Sequence, residues 1–244
     1  MDHDADGPPA NRFRTTRWSV IVAAREGAAG SDEALAALCA DYWYPLYAFV
    51  RRQGYDPATA EDLVQGFFAR MLEKRDLQAV DRRKGRFRSF LMASCAHYLA
   101  NQARYHRAER RGGGRLTITF DRLDGEGRYA SEPSHVVTAE RLFDRRWALT
   151  VLDRVLRRLE AEMAVAGKSR QFEGLRAALL GGDDRVPYAE IAPSLGLTPD
   201  AARAAATRMR RRYRALLREE VGDTLDNPAD IDDEIRALFQ ALAV

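Results

Sequence analysis

The chain has 244 residues, of which 46% are hydrophobic, and its formal net charge is +3 at pH 7. This length suffices for one large or two small domains, and the composition is that of an ordinary soluble globular protein. No apolar run approaches the roughly 18 residues that a membrane span needs, and the polar beginning of the chain contains no signal-type apolar stretch. We therefore expect a cytoplasmic protein with no membrane partner.

Patterns typical of metal sites and enzymes are missing from the sequence. Cys39 and Cys95 stand alone on apolar stripes, without a second cysteine at metal or redox spacing, and the four histidines lack ligand spacing. The glycines of RRGGGR precede no strand–helix unit, and no serine lies in a nucleophile elbow. We expect two reduced core cysteines, no metal, no cofactor and no enzymatic activity.

Helical periodicity dominates the chain. Leucine, alanine, arginine and glutamate recur at spacings of three and four, and the alternation typical of strands is almost absent. The expected fold is all-α, with two helical domains joined by a flexible linker. The expected organisation is an N-terminal extension (1–29), a first helical domain (30–111), a linker (112–140), a second helical domain (141–220) and an acidic amphipathic tail (221–244).

Several helix boundaries can be predicted from capping residues. A short helix is expected after Thr16, and a long one after Ser31, with an apolar stripe and a bend at Pro45. Asp56 and Pro57 suit the cap and first position of the next helix. A third helix is expected over about 86–110. The linker lacks sustained periodicity, with a short ordered stretch expected at 116–120.

The segment VPYAEIAPSLGLTPDAARAAATRMRRRYR predicts a helix-turn-helix. Ala192 and its apolar neighbours face inward, Gly196 supplies the turn, and Thr198 caps a second helix that begins at Pro199. Pro193 lies well inside the first helix, where it costs about 3 kcal/mol unless the helix kinks. The alternative is a plain helical hairpin with a solvated arginine face.

The second helix of this motif is expected to enter the DNA major groove. Arg212 and its neighbouring arginines would approach phosphates, and the early positions of the helix are mostly alanine. Few side chains can therefore reach base edges, and DNA shape is expected to contribute to specificity. The candidate DNA-binding residues are Arg203, Thr207, Arg208, Arg210 and Arg211.

Two segments of the first domain, ATAEDLVQGFFARMLEKRD (58–76) and GRFRSFLMASCAHYLANQARYHRAERR (85–111), resemble sigma factors of the extracytoplasmic-function group. Together with the helix-turn-helix, the resemblance covers about 30–111 and 141–220. It implies that the first segment binds the clamp of the largest subunit of RNA polymerase. The implied polymerase-binding residues are Glu61, Asp62, Leu63, Gln65 and Phe68.

The same resemblance implies that 85–111 melts promoter DNA and recognises the −10 element, while the helix-turn-helix recognises the −35 element. Capturing unstacked bases requires cations for the backbone and aromatic or amide groups for the bases. The candidate residues are His97, Asn101, Gln102, Arg104, Tyr105 and Arg107. The alternative places Tyr98 and Gln102 on the core stripe, with Tyr105 serving only to pack.

The expected function is therefore a sigma factor with core RNA polymerase and promoter DNA as partners, and whether an anti-sigma factor also binds stays open. A stand-alone helix-turn-helix repressor or activator, or a helical adaptor, are the alternatives. In the tail, Asn227 and Pro228 predict a helix with an apolar stripe bordered by acids that include Glu234. This helix either completes the core of the second domain or competes with DNA for the arginines at 208–214.

Overall fold

Helices account for all regular secondary structure in the part of the chain that the computed structural model describes, residues 31–73, 86–108, 125–130, 138–179, 187–225 and 227–243. The α-helices are α1 (Ser31–Arg52), α2 (Pro57–Glu73), α3 (Phe87–Ala108), α4 (Gly125–Ala130), α5 (Ala139–Val165), α6 (Ser169–Leu175), α7 (Tyr188–Ile191), α8 (Pro199–Gly222) and α9 (Ile231–Leu242). Short 3-10 helices cover Arg176–Leu179, Ala192–Leu195 and Pro228–Asp230. The all-α expectation is confirmed, whereas the extension at 1–29 and the stretch at 116–120 lie outside the described residues.

Polar side chains cap several described helices, including α2 at the predicted Asp56 and α5 at Thr138, which was not among the predicted caps. The Asp56 carboxylate accepts hydrogen bonds from the Thr59 amide (3.0 Å) and hydroxyl (2.6 Å), which also lower the pKa of Asp56. The Thr138 hydroxyl accepts from the Arg141 amide (3.3 Å) at the start of α5. Each cap satisfies an amide that has no partner inside its helix.

Helix α1 lies at the centre of the fold. Every residue from 42 to 50 is buried, and the helix continues through Pro45. The sequence predicts a single apolar stripe, but Trp43 and Tyr47 stack on each other at 5.1 Å and extend the apolar surface around the helix. A helix that is apolar on all sides must be covered on all sides, and α2, α4 and α5 pack against α1.

Helix α5 connects the two halves of the described core. It packs against α1, which precedes the predicted linker in the chain, and against α8 and α9, which follow it. Its buried residues include Leu142, Trp147, Val151 and Val155. The described helices before and after the linker thus share one apolar core, and their division into two domains stays a prediction.

Helix α4 lies inside the segment predicted to be an irregular linker. The Arg128 guanidinium lies 3.8 Å from the Tyr44 ring centroid, and that of Arg51 lies 4.8 Å from the Tyr129 ring centroid. Both are cation–π contacts between α4 and α1. A six-residue helix is too short to show periodicity, so these tertiary contacts could not be found by the sequence pattern.

Two further expectations about burial have different outcomes. Cys39 and Cys95 are buried with free thiols, as predicted, and burial raises the pKa of both to about 12, with Asp41 adding to the effect at Cys39. The spacing of apolar residues over 142–159 predicts Leu149 on the apolar stripe of α5, but Leu149 is 37% exposed. Leu149 follows the buried Trp147 by two positions, which on a helix is roughly the opposite side.

Among the described helices, none combines the length and hydropathy needed to cross a membrane. The described side chains also include no group of three or more His, Cys, Asp or Glu residues that could hold a metal ion.

Candidate nucleic-acid interface

A tight turn joins the two helices of the predicted helix-turn-helix. Gly196 has a φ of 65°, a left-handed conformation that glycine adopts without the clash of a Cβ atom. The Gly196 amide donates to the Pro193 carbonyl (3.1 Å), and the Leu197 amide donates to the Ala192 carbonyl (3.0 Å). Thr198 then caps α8 by accepting from the Ala201 amide at 3.2 Å. The geometry of the turn therefore agrees with the sequence pattern.

Pro193 does not cause the predicted loss of a helical hydrogen bond. Helix α7 ends at Ile191, and a 3-10 helix begins at Ala192 with Pro193 in its first positions. Amides at the start of a helix have no partner within it, so a proline there removes nothing. The expected penalty is avoided because the helix changes type rather than kinking around the proline.

Small residues on the inner face of α8 allow the motif to pack closely. Ala202, Ala205 and Ala206 are buried, as is Ala192 on the preceding helix. Helix α6 supports the same corner, because a Cβ atom at Gly174 would lie 2.9 Å from a methyl carbon of Leu195. The alanines that leave few groups for base contacts are thus needed for packing.

Ion pairs with α5 fix the direction of α8. The Arg212 guanidinium donates two hydrogen bonds of 2.7 Å to the Glu162 carboxylate, and Arg158 donates one of 2.7 Å to Glu219. The hydrogen bond from Arg212 is the main cause that lowers the pKa of Glu162. Arg212 was expected to approach phosphate, but here two acids hold its guanidinium, so a phosphate would have to displace them.

The outer face of α8 is cationic. Arg203, Thr207, Arg208 and Arg211 are exposed, as predicted for DNA-contacting residues, while Arg210 is half-buried and lies 3.4 Å from the Thr207 hydroxyl. No described acid pairs with Arg208 or Arg211. A helix face with this charge is attracted to a phosphate backbone.

Arg214 belongs to the same face but was not among the predicted site residues. It is exposed, no described acid pairs with it, and it follows Arg211 by three positions. The spacing i, i+3 places both on one side of the helix. The sequence therefore contained the signal for Arg214.

The candidate −10 and melting residues lie along α3. His97 and Arg104 are exposed, and Asn101 and Gln102 are half-buried. Tyr98, by contrast, is buried, and a Cβ atom at Gly66 of α2 would lie 2.5 Å from its hydroxyl oxygen. Tyr105 and Arg107 belong to α3, but their side chains lie outside the described residues.

Two of the five predicted polymerase-binding residues lie in the core. Leu63 is 3% and Phe68 0% exposed, so in the described arrangement neither offers its side chain to a partner. Asp62 is exposed, and Glu61 and Gln65 are half-buried. The surface of α2 is therefore polar, and its apolar residues hold the helix against α1 and α3.

A buried charge cluster, which the sequence analysis missed, joins α3, α5 and α9. Glu234 is fully buried and accepts from Arg88 Nε at 2.7 Å, while Arg86 lies 2.6 Å away. Arg88 also pairs with Asp144 and lies over the Trp147 ring, 4.5 Å from its centroid. Burial opposes the charge on Arg88, but hydrogen bonds and charges of Glu234 and Asp144 outweigh it and raise the pKa of Arg88.

This cluster corrects the expected position of Glu234. The sequence pattern predicts Glu234 on the acidic border of the tail helix, yet Glu234 lies on the packed side together with Leu238. Its spacing of three from Ile231 and four from Leu238 was the available signal. Asp232 pairs with Arg218 rather than with the arginines at 208–214, and α9 packs on α5 and α8.

No protein-family model, no curated protein and no solved structure matches this chain. Function is therefore inferred from its residues and their geometry.

Proposed function

We propose that the protein is a cytoplasmic sigma factor of the extracytoplasmic-function type, which binds bacterial core RNA polymerase and directs it to promoters. The observation that carries the proposal is the cationic outer face of α8, the helix that follows the well-formed turn of the helix-turn-helix. In DNA-binding proteins of this kind, the second helix enters the major groove and flanking cations contact phosphates.

The surfaces of α2 and α3 support the more specific part of the proposal. Helix α3 exposes His97 and Arg104 beside the half-buried amides of Asn101 and Gln102. Cations and amides of this kind suit a melted strand, whose backbone is charged and whose bases are unstacked. Helix α2 exposes Asp62 on a polar surface that suits the rim of a protein interface.

The two DNA-facing surfaces must separate for this function. Elements about 25 base pairs apart are separated by roughly 85 Å at 3.4 Å per base pair. A globular chain of this length has a radius of gyration of about 18 Å and thus a diameter of about 50 Å. Because α1 and α5 share a core here, polymerase binding would have to draw them apart before both elements could be contacted.

The shared core also favours a second candidate, a stand-alone helix-turn-helix repressor or activator. Such a protein needs no separation of its halves, because a single α8 face binds one site on duplex DNA. The two candidates differ in whether core polymerase is a partner. An anti-sigma factor is a further partner only under the first candidate.

The test is the affinity of the fluorescently labelled full chain for purified core polymerase, measured by anisotropy. The wild-type chain should bind, and Asp62→Lys should weaken binding about tenfold, because a reversed charge at an interface repels its partner. Glu160→Lys, the same change at an exposed site on α5, is the matched control and should bind as the wild type does. A wild-type chain that binds duplex DNA but not core polymerase would establish the stand-alone regulator instead.

A further inference from the structure

The first three turns of α8 offer few groups that can distinguish one base pair from another. Ala202, Ala205 and Ala206 are buried, and Ala204, though exposed, carries only a methyl group. Base edges in the major groove are distinguished mainly by hydrogen-bond donors and acceptors. The choice of base therefore falls to the longer side chains on the exposed face.

Thr207 is exposed, but its hydroxyl has already used its single hydrogen-bond donor and can only accept from a ligand. Its hydroxyl donates to the Arg203 carbonyl of its own helix at 3.0 Å and lies 3.4 Å from Arg210 Nη2. With the hydroxyl turned to the helix backbone, Thr207 offers chiefly its methyl group to a ligand. Arg203 is the only long side chain on the exposed face within the first two turns of α8.

Arg203 is also positioned by the preceding helix. Its guanidinium lies 5.5 Å from the ring centroid of Tyr188, which is 3% exposed at the start of α7. A guanidinium over an aromatic face is attracted by the ring quadrupole, which makes the face of the ring electrostatically negative. Tyr188 thus restricts a side chain that would otherwise lose much rotamer freedom on binding. No described aromatic contact holds Arg208 or Arg211 in this way.

We propose that Arg203, positioned by Tyr188, is the residue through which α8 recognises a guanine in duplex DNA. The planar guanidinium matches guanine O6 and N7 with two parallel hydrogen bonds. The methyl groups of Ala204 and Thr207 lie one and four positions further along and suit the methyl group of thymine. The proposal rests on the proposed DNA-binding role of α8 and holds for either candidate function.

The experiment selects bound sequences from a randomised double-stranded DNA pool, with the full chain alone and with the chain mixed with core polymerase. Each guanine of the selected duplex is then replaced in turn by 7-deazaguanine, which lacks the N7 acceptor, and the affinity of the chain for each substituted duplex is measured. At one position the wild-type chain should lose roughly tenfold in affinity, within the range of a bidentate arginine–guanine pair. Arg203→Ala should bind the unmodified duplex and the duplex with 7-deazaguanine at that position equally well.

Variants at Tyr188 separate positioning from folding. Tyr188→Phe keeps the aromatic face and should keep the full tenfold discrimination, whereas Tyr188→Leu should lose most of it without losing affinity for random DNA. Arg211→Ala, the control, should weaken binding to all sequences and keep the guanine preference. Thermal unfolding of each variant identifies any that fail to fold.

Three results would overturn the proposal. Retained discrimination in Arg203→Ala would assign the guanine to another residue, and equal discrimination in Tyr188→Phe and Tyr188→Leu would remove the positioning role. Failure of both the chain and its mixture with core polymerase to enrich any sequence would overturn the DNA-binding role of α8 as well. Only this last result bears on the proposed function.

Discussion

Removal of the Glu234 carboxylate should destabilise the protein strongly. Glu234 is 0% exposed, and its two oxygens contact Arg88 on α3 and Arg86, which directly precedes that helix. Glu234→Ala leaves the Arg88 guanidinium buried with one negative partner fewer. Removing one member of a buried pair costs about 3–5 kcal/mol, and the remaining contact with Asp144 favours the lower end of that range.

The expected loss can be measured by thermal and urea unfolding followed by circular dichroism. For a chain of this size, about 3 kcal/mol corresponds to a fall in Tm of roughly 6–12 °C. Glu160→Ala removes an exposed carboxylate on α5 and should change stability by less than about 0.5 kcal/mol. The double variant Arg88→Met/Glu234→Met should recover much of the loss, since apolar residues of similar volume often replace a buried pair without cost.

The assignment of Glu234 to a buried charge cluster would be refuted if Glu234→Ala unfolded within about 0.5 kcal/mol of Glu160→Ala, the scatter of ordinary surface substitutions. If the double variant lost as much free energy of unfolding as Arg88→Met and Glu234→Met lose when added together, Arg88 and Glu234 would not be coupled.

Three further perturbations test other parts of the structure. Gly66→Ala should destabilise by about 1–3 kcal/mol, as overpacked cores do, because the new methyl group would lie 2.5 Å from the Tyr98 hydroxyl oxygen; adding Tyr98→Phe should restore most of it. The pKa of Glu162 is lowered by Arg212, so the stability from this pair is present above about pH 4.5, the usual Glu range, and is lost as the pH falls through the folded-state pKa. Because Glu162 is 37% exposed, Glu162→Gln should reduce this acid-dependent loss by less than about 1 kcal/mol. Arg211→Ala should lower affinity for random duplex DNA and reduce the slope of log K against log salt by about 1.

Each of these three perturbations has an outcome that would contradict the structure, and the DNA experiment also has a control variant. Gly66→Ala with an unchanged Tm would mean that α2 and α3 are not in close contact at Tyr98, and equal acid sensitivity of Glu162→Gln and wild type would exclude the pairing with Arg212. For the DNA experiment, Arg157→Ala is the matched change, because Arg157 already pairs with Asp153 on α5. An Arg157 variant with the same salt slope as Arg211→Ala would argue against a localised α8 interface.

Local signals in the sequence predicted much of the fold. The caps at Asp56 and Thr198 and the turn at Gly196 each depend on a few neighbouring residues, so they can be predicted from the local sequence. Periodicity also located the long helices. The cationic face of α8 followed from the run of arginines around 208–214.

Features that depend on distant residues could not be predicted in this way. Arg88 and Glu234 lie 146 positions apart, and nothing in either local pattern indicates the other. Arg212 looks like a phosphate-binding residue until α5 brings Glu162 beside it. The burial of α1 on all sides likewise depends on α5, which follows it by almost ninety residues in the chain.

The most direct measurement of the proposed function is run-off transcription by purified core RNA polymerase on a library of promoter fragments, with and without the full chain. A sigma factor should produce transcripts that start at defined positions and depend on the added chain. Transcription unchanged by the chain, at concentrations where it binds duplex DNA, would contradict the proposed function.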